Sequence, residues 1–493
     1  MLYTIILVSS VVLLFIIFLL KKTSIWRFRR PNEPPLDRGL VPWFGHVVDF
    51  NTNTYELLCE LKKKHGDIFT LQAAGSFITV LLDPHVYEEV LLKSDKFDFR
   101  RYEEALLKIM FDVSLPYCDL EVRRLLMRES FKEKYLRSLT RTFLYYLRVM
   151  LLNDKIEGKW NESSLFDFSC SNVFSASYLT LFGGNTFIDD DQIESLVVYE
   201  YFTKLDRLVV KYFKDILDVE EKEVFLAARK ELWDLLSIKK INSRVKKSCW
   251  LINYKQYLED MKVSDEMQSK IMVAQLWSMH CNVGPTVFWV LVYILKNPDV
   301  MKEIKKEMTA AFACTKESRM SYQAMLDSTP VFDSVIEETL RLTAAPIITR
   351  EIVSETTITL SNQNKYSLRG GDTLCIFPYI SPQMDPEVYE DVDTFNHKRF
   401  IDENNNKITE FYKNGKKLKH FTAPWGLGLH KCIGKHFGLN IVKQFIFIVL
   451  TYFEIELKHP NVRVPGRDLE RCGFGLLHPD EDVTLRYKRK VSA

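Results

Sequence analysis

The sequence predicts a mainly helical protein with small β-sheets, preceded by one N-terminal transmembrane helix. Three observations support this fold class. Residues 1–20 are almost all apolar and uncharged, about the length that a helix needs to cross a bilayer. From Val86 to about Leu236, apolar side chains recur at the three- and four-residue spacing of amphipathic helices. Segments that alternate like strands are short and few, so helix outnumbers strand.

Composition sets broad limits on function. The chain has 493 residues, of which 47% are hydrophobic and 27% charged, as in a globular protein with a sizeable core. A net charge of +2 gives no sign of a nucleic-acid partner. The nine cysteines are scattered and form no Cys-x-x-Cys pair, which argues against a zinc knuckle or a thioredoxin-like site. Such cysteine usage suits a reducing compartment.

The N-terminal apolar run is followed by five basic residues: Lys21, Lys22, Arg27, Arg29 and Arg30. A cleaved signal peptide is the alternative interpretation, but its charges precede the apolar run and a small-residue cleavage site follows it. Basic residues on this flank favour the cytosolic side. We therefore expect a transmembrane anchor at residues 1–20, a basic and proline-rich linker at 21–45 and a catalytic body at 46–493.

Several elements of the body are visible in the pattern. Asp67–Pro84 predicts two short strands around Gly75, and residues 357–380 alternate in strand fashion with turns at 361–364 and 370–371. A helix is predicted from Ile433 to about Leu450.

The run from Ile271 to Lys296 is long enough to be a second membrane span. Its middle, however, contains a cluster of polar and helix-breaking residues: Ser278, His280, Asn282, Gly284 and Pro285. This cluster favours a helix through the centre of the protein.

The stretch "APWGLGLHKCIGK", residues 423–435, places a single cysteine just before an apolar helix. A thiolate is a strong ligand for haem iron, and it needs N–H donors and protection from water. Three glycines allow the backbone to turn N–H groups toward Cys432, and the following helix adds its positive end. Trp425 can cover the sulfur and His430 can reach a haem propionate. The alternative is a structural cysteine in a tight turn.

The segment from Trp425 to Gly434 resembles the haem-ligand signature of the cytochrome P-450 superfamily. Two more signatures of that superfamily stand upstream, Glu338-x-x-Arg341 and the "FNHKRF" segment that ends in Arg399 and Phe400. The resemblance implies the cytochrome P-450 fold with haem b as cofactor. It also implies Cys432 as the axial iron ligand and a bracing network of Glu338, Arg341 and Arg399.

The resemblance further implies contacts to the haem. Arg350 stands where the superfamily places a propionate-binding basic residue, and we expect His430, Trp425 and Gly426 to line the cofactor as well. The usual Trp-x-x-x-Arg of the superfamily is not found upstream. Propionate contacts from that region therefore stay open among Arg123, Arg124 and Arg128.

Monooxygenases of this superfamily carry Ala/Gly-Gly-x-Asp/Glu-Thr in the central helix, where the acid and the alcohol deliver protons to bound dioxygen. Here the acid position is Gly284 and the alcohol position is Pro285, with Thr286 one residue late. Inside a helix, proline costs ~3 kcal/mol and glycine ~1 kcal/mol, so this break points to a functional site. A packing kink is the alternative. Asn282 is the polar side chain expected over the haem.

This departure is similar to the branch that contains the prostacyclin synthases, the sterol 12α-hydroxylases and the cholesterol 7α-hydroxylases. The stretches "VLLDPH", "FDVSLP" and "LTAAPIITRE" look most like the synthases. The resemblance implies isomerisation of prostaglandin H2 to prostacyclin by homolytic endoperoxide cleavage, without dioxygen or a reductase. It also implies an endoplasmic reticulum membrane location and functional proximity to a cyclooxygenase. The implied substrate contacts are Asn282, Trp277, Ile109, Leu115, Thr349, Arg350 and Thr373.

Two other functions compete with this hypothesis. A sterol hydroxylase would need NADPH and a reductase, which could dock on the basic stretch Lys413–His420 unless that stretch is simply a solvated loop. The third interpretation is a membrane-anchored interaction protein with no haem.

Overall fold

The structure, a computed structural model, describes residues 27–115, 120–152, 158–185, 187–318 and 322–491. The anchor predicted at residues 1–20 lies outside these residues. The helices are α1 (Val47–Thr52), α2 (Thr54–His65), α3 (Tyr87–Leu92), α4 (Arg100–Phe111), α5 (Leu120–Ser130), α6 (Glu133–Leu152), α7 (Leu165–Phe182), α8 (Ile188–Phe213), α9 (Val219–Leu235), α10 (Ile238–Ser243), α11 (Cys249–Asp260), α12 (Asp265–His280), α13 (Val283–Lys296), α14 (Pro298–Ser318), α15 (Tyr322–Asp327), α16 (Pro330–Thr343) and α17 (Lys435–Tyr452).

The strands are shorter than the helices, as the sequence predicts. They are β1 (Leu36–Asp37), β2 (Ile68–Ala73), β3 (Ser76–Leu81), β4 (Phe97–Asp98), β5 (Asn161–Ser164), β6 (Ile348–Ile352), β7 (Thr356–Thr359), β8 (Lys365–Leu368), β9 (Thr373–Ile376), β10 (Tyr412–Lys413), β11 (Lys416–Lys417), β12 (Phe453–Leu457) and β13 (Thr484–Arg489).

The chain divides into two compact units. Of the described residues, the first contains those up to Tyr102, Pro346–Tyr389 and Tyr412–His430, and the second contains those from Glu103 to Ala345, Glu390–Phe411 and those from Lys431 onward. Most of the sheet structure belongs to the first unit and most of the helices to the second.

The first unit is organised around a six-stranded sheet of order β1-β2-β3-β9-β6-β4. β2 and β3 form an antiparallel hairpin around Gly75, and β7 pairs with β8 across the predicted turn at 361–364, so both strand predictions are confirmed. β1 pairs with β2, so part of the segment predicted as a linker belongs to this sheet. β6 was not predicted; it lies directly after α16 and joins β9 to β4.

Basic residues that follow the predicted anchor make ion pairs inside the first unit. Arg27 bonds both carboxylate oxygens of Asp372 at 2.6 Å and lies over the ring of Phe77. Arg29 donates to the backbone carbonyl of Glu33, whose carboxylate pairs with Arg369. These contacts tie the start of the described chain to the sheet.

The core of the second unit is formed by α7, α13 and α17, in which most residues are buried. The apolar run predicted to cross the protein centre is divided into α12 and α13. Together, Asp265–Lys296 are long and apolar enough to span a membrane, but 72% of their most apolar stretch is buried inside the protein. This burial favours the interior helix over the second membrane span. A three-stranded sheet, β12-β13-β5, completes the unit.

Candidate active site

The turn that holds Cys432 comes directly before α17. Gly434 is the N-cap of that helix and Lys435 its first residue, so the predicted start at Ile433 was two residues early. The reason is that residues 431–434 form a turn in which the backbone N–H groups of Gly434 and Lys435 donate to the Cys432 sulfur. Burial raises the pKa of the Cys432 thiol, and these donors act in the opposite direction.

The donor set around Cys432 suits an anionic sulfur. Two N–H groups and the positive end of an 18-residue helix are arranged to stabilise negative charge at this point. Protein atoms crowd the sulfur enough to raise its pKa, yet the residue keeps solvent-accessible surface, so a ligand can reach it. Both properties fit a thiolate that binds a metal-containing cofactor.

The glycine-rich loop before the cysteine belongs to the first unit. Gly426 and Gly428 have φ angles of +70° and +66°, which L residues with side chains rarely adopt. A Cβ at Gly428 would stand 2.6 Å from Cβ of Leu91, so α3 leaves no room for a side chain there. The amide of Gln383 anchors the start of the loop by accepting the N–H of Ala423 at 3.0 Å. Trp425 is half-buried.

Two of the predicted cofactor contacts share one aromatic partner in the first unit. The ring of His430 lies 4.7 Å from the ring of Phe99, and the guanidinium of Arg350 lies 5.0 Å from the same ring. Arg350 is only 2% exposed and donates to the backbone carbonyl of Thr349 at 2.7 Å. An imidazole and a guanidinium thus pack on the same ring, and both are groups that can bind carboxylates such as haem propionates.

The open propionate candidates on α5 have different surroundings. Arg123 forms an ion pair with Glu103, whereas Arg128 is exposed.

Glu338 is the centre of a fully buried charge network in the second unit. Arg341 bonds it through two nitrogens, at 2.7 Å and 2.9 Å, and neither side chain is exposed. Arg399 donates to the same carboxylate at 3.0 Å, and the backbone N–H of Asn396 donates at 3.1 Å. This arrangement compensates a carboxylate that would otherwise be costly to bury.

The joint between α12 and α13 explains how proline is tolerated in the central helix. Pro285 is the third residue of α13, so its missing N–H is one that a helix start does not need. Because proline has no N–H, the carbonyl of Cys281, four residues earlier, has no helical donor from Pro285. It accepts a hydrogen bond from the ring of His478. Thr286 donates both its N–H and its hydroxyl to the carbonyl of Asn282, at 3.0 Å and 2.7 Å.

The side chain of Asn282 is held by a distant loop. Its Oδ1 accepts the backbone N–H of Leu476 at 2.8 Å. Gly475, with φ of +104°, lies so close that a Cβ there would stand 2.6 Å from Oδ1. Because the oxygen is used by Leu476, the amide N–H2 group is left to donate. Neither loop residue was predicted from sequence, although residues 472–475, "CGFG", contain two glycines that indicate a tight turn.

The acid position of the central helix faces another helix. A Cβ at Gly284 would come within 3.0 Å of both Cα and Sγ of Cys170 on α7. Any side chain at this position would therefore require α7 to shift by a few tenths of an ångström.

Other predicted substrate contacts lie in different places. Trp277 donates its indole N–H to Asp206 at 2.7 Å and packs 5.7 Å from the ring of Phe111. Ile109 is 42% exposed and Leu115 half-buried, both in the second unit. Thr349 and Thr373 lie on β6 and β9 of the first unit, and Thr349 is buried.

A family description of cytochrome P450 matches residues 34–484 of the chain. The chain belongs to the cytochrome P450 family. The cofactor of this P450 is therefore haem with a cysteine thiolate on the iron. Among curated relatives, prostacyclin synthase of Rattus norvegicus is 40% identical over 94% of this chain and 95% of its own length. The 7-alpha-hydroxycholest-4-en-3-one 12-alpha-hydroxylase of Homo sapiens is 35% identical over 94% of each chain. Cholesterol 7-alpha-monooxygenase of Cricetulus griseus is 30% identical over 94% of this chain and 95% of its own.

Proposed function

We propose that this P450 is a haem-thiolate isomerase that converts prostaglandin H2 to prostacyclin by homolytic cleavage of the endoperoxide. Cys432 is the axial iron ligand in this proposal. The proposal is supported by 40% identity to prostacyclin synthases over nearly the whole chain. The structural observation that carries it is the central helix, which offers an amide donor at Asn282 and carries no acid at position 284, where a Cβ would be tightly packed against α7.

The missing proton relay is consistent with an isomerase, but the hydroxylases of the same branch share this departure, so it does not by itself separate the two functions. Gly284 is packed against α7, Pro285 has no side-chain donor, and the hydroxyl proton of Thr286 is committed to the carbonyl of Asn282. Dioxygen activation needs protons delivered at this helix. An endoperoxide isomerisation needs none there, because the O–O bond of the substrate is itself the oxidising group.

Asn282 has the main positioning task in this proposal. When bound, a thiolate-ligated haem supplies the one-electron chemistry that splits a peroxide bond. The Asn282 N–H2 group donates to an endoperoxide oxygen and fixes which of the two oxygens faces the cofactor. Since orientation alone determines the product, a rigid donor is preferable to a mobile one. The Leu476 hydrogen bond supplies that rigidity.

The remaining substrate contacts are those that the family resemblance implies. The indole of Trp277 presents only its ring to a ligand, because its N–H is bound to Asp206. We assign the apolar lining to Ile109, Leu115 and Trp277, and the polar contacts to Thr349, Arg350 and Thr373. His430, Arg350, Trp425 and Gly426 bind the haem, and Glu338, Arg341 and Arg399 brace it.

The basic stretch from Lys413 to His420 gives little support to a docked reductase. Lys413 is buried in an ion pair with Asp385 at 2.7 Å. Lys419 pairs with Glu88, and Lys416 donates to the carbonyl of Ser361. Charges already used within the protein attract a partner weakly.

The proposed location is the endoplasmic reticulum membrane, with a single-pass anchor at residues 1–20 and residues 46–493 as the catalytic domain on the cytosolic side. The basic residues after the apolar run support this topology. A lipid substrate that partitions into the membrane would be delivered most efficiently from a nearby cyclooxygenase.

The deciding experiment gives prostaglandin H2 to the purified haem protein with no electron donor. We expect rapid formation of the stable hydrolysis product of prostacyclin, and a thiolate-type Soret band with carbon monoxide after reduction. A Cys432→Ser variant should lose both. If the wild type forms no product, the isomerase is excluded.

The second candidate is a sterol 12α-hydroxylase, favoured by the 35% identity to such enzymes. It predicts turnover of a sterol only with NADPH and a reductase. The same protein preparation, tested with both substrates, separates the two functions. A missing thiolate-type Soret band would exclude both.

A further inference from the structure

The second unit contains a cavity of about 240 Å³ between α7, α8, the joint of α12 and α13, and the segment 468–478. Its lining includes Cys281, Gly284 and Pro285 but neither Asn282 nor Trp277. Gly284 lies two residues after Asn282, about 200° round the helix. On an ideal helix this places Asn282 away from the cavity. Trp277, however, seven residues before Gly284 and bonded to the lining residue Asp206, lies on the side that borders it.

The walls of the cavity are largely aromatic. Phe166 and Phe174 project from α7, and Tyr199 and Phe202 from α8. The rings of Phe174 and Phe202 lie 4.7 Å apart. Flat rings with few hydrogen-bonding groups favour a flat, apolar ligand.

His280 supplies one of the polar groups in this lining. It is 5% exposed, and its Nδ1 lies 2.7 Å from the carbonyl of Leu276. A carbonyl only accepts, so Nδ1 carries the proton and Nε2 presents a lone pair. Burial lowers the pKa of His280 to about 4, so the ring is neutral at pH 7. Among the described residues Nε2 has no hydrogen-bond partner.

His478, on the segment 468–478, is a second imidazole with an acceptor nitrogen in this lining. Its ring donates to the carbonyl of Cys281, and burial together with the charge of Arg471 lowers its pKa to about 3. The Nε2 atom is again an acceptor with no partner in the part of the chain that the structure describes. It lies 3.8 Å from a carboxylate oxygen of Asp206.

Arg471 adds a donor to the two acceptors. It is 5% exposed and bonds Asp206 through both terminal nitrogens, at 3.0 Å and 3.2 Å, but within the described chain its Nε has no partner. A hydroxyl is the group that both donates to an imidazole and accepts from a guanidinium.

The charges of the lining do not favour an anion. The guanidinium of Arg471 is neutralised by Asp206, and Lys211 lies 3.4 Å from Glu221. Arg207 is exposed to solvent. A metal ion is also disfavoured, because the described residues contain no group of three histidine, cysteine or acidic side chains that could hold one.

We propose that this cavity is an allosteric site for a small, neutral hydroxy-aromatic ligand of one or two rings, whose hydroxyl donates to one of the two histidines, His280 or His478, and accepts from Arg471. The volume agrees with this class, since a dry cavity of about 150 Å³ already holds one benzene ring. The hydroxyl satisfies buried polar atoms that are otherwise costly to leave without partners.

Few bonds separate His478 in the cavity lining from Asn282. His478 lies two residues after Leu476, whose N–H holds Asn282, and it also bonds the carbonyl of Cys281 beside Asn282. A ligand bound to His478 therefore acts on the same backbone segment that positions Asn282. This coupling rests on the proposed role of Asn282, whereas the binding does not.

The test is a binding cycle on the full-length haem protein with two probes. The first is 2-naphthol, measured by calorimetry on protein already saturated with 1-phenylimidazole, which occupies the haem iron. We expect saturable binding with one site and affinity at least tenfold above that of naphthalene and of 2-naphthoate. No saturable binding overturns the site, and equal affinity of the three compounds overturns the assigned hydrogen bonds.

A matched pair of variants locates the site. Thr203 lines the cavity and is half-buried, whereas the next residue, Lys204, is exposed and outside the lining. Thr203→Phe should fill the space and weaken 2-naphthol binding at least tenfold, and Lys204→Phe should leave it within twofold. Equal effects of the two variants, or no effect of either, would place binding elsewhere.

The second half of the cycle measures the coupling. Saturating 2-naphthol should change the affinity for 1-phenylimidazole, read from the Soret shift, by at least threefold, and 1-phenylimidazole must change 2-naphthol affinity by the same factor. An unchanged affinity overturns the allosteric part. Neither half uses prostaglandin turnover, so failure here is distinguishable from failure of the proposed isomerase.

Discussion

Asn282 and Leu476 are joined by a single hydrogen bond, 2.8 Å long, in which the side-chain oxygen of Asn282 accepts the backbone N–H of Leu476. The two residues are 194 positions apart in the chain. The bond fixes the orientation of the amide, and with it the donor that we assign to the substrate.

Asn282→Asp tests that donor. The aspartate keeps an oxygen for the N–H of Leu476 but has no N–H2 group and adds negative charge. We expect kcat/KM for prostaglandin H2 to fall at least about tenfold, since losing ~1.4 kcal/mol of transition-state binding has that effect. Stopped-flow absorbance measures the rate, and the carbon monoxide spectrum should stay of the thiolate type. Unchanged kcat/KM would remove Asn282 from the mechanism.

Gly475→Ala tests the support of Asn282. A methyl group there combines a strained φ of +104° with a contact of 2.6 Å to Oδ1. We expect a loss of about 1–3 kcal/mol in the free energy of unfolding and a clear loss of turnover. Gly371→Ala is the matched control, because φ is +88° but no atom lies within 4 Å of its Cβ. If both variants keep full turnover, the position of Asn282 does not depend on the close approach of Gly475.

Glu338→Gln should lower the free energy of unfolding more than a substitution of a surface residue does. The substitution leaves Arg341 and Arg399 without their shared carboxylate, and breaking a buried ion pair costs about 3–5 kcal/mol. Chemical denaturation followed by circular dichroism measures this loss. Glu303→Gln is the control, since Glu303 is 40% exposed and its distance to His397 is 3.5 Å; its effect should stay within about 0.5 kcal/mol.

Gly284→Asp restores the acid found in monooxygenases at this position. Because α7 lies within 3.0 Å of the new Cβ, we expect a destabilised protein with a lower melting temperature and no NADPH-dependent oxygenation of a sterol. Gly284→Ala should already cost about 1–3 kcal/mol. Efficient oxygenation by the aspartate variant would contradict the packing argument.

Stability should fall in mild acid because of His280. Burial lowers its pKa from 6.5 to about 4 in the folded protein, so between these values the unfolded chain binds a proton that the folded chain does not. Its contribution is therefore complete above pH 6.5 and is lost as the pH falls to about 4, on the order of 3 kcal/mol. Unfolding at several pH values measures this. His280→Phe should make the profile less steep and leave the contribution of His478, whose pKa is lowered to about 3, whereas exposed His436→Gln should leave the profile unchanged.

The parts of the fold that were predictable depend on local signals. The β2–β3 hairpin followed from Gly75, and the break in the central helix from Gly284 and Pro285. β6 and the strand within the predicted linker were missed, because their strand character depends on partners elsewhere in the sheet rather than on their own pattern.

In the candidate site, too, the residues with local signals were predictable and those that depend on distant partners were not. Cys432 and the Glu338–Arg341 pair stand at short, fixed spacings that a sequence displays directly. The central helix is contacted by residues nearly two hundred positions away, namely Gly475, Leu476 and His478. Part of this contact is made by backbone groups, such as the N–H of Leu476. Side-chain type alone gives no signal for such partners.

Pro285 leaves the carbonyl of Cys281 without a helical donor, and the hydrogen bond that His478 makes to this carbonyl has a consequence for biosynthesis. During translation, α12 and α13 leave the ribosome long before residues 475–478 have been made. Until those residues arrive, the carbonyl of Cys281 and the amide of Asn282 lack the partners they have in the finished molecule. The joint at the centre of the protein is thus among the last places that a newly made chain can complete.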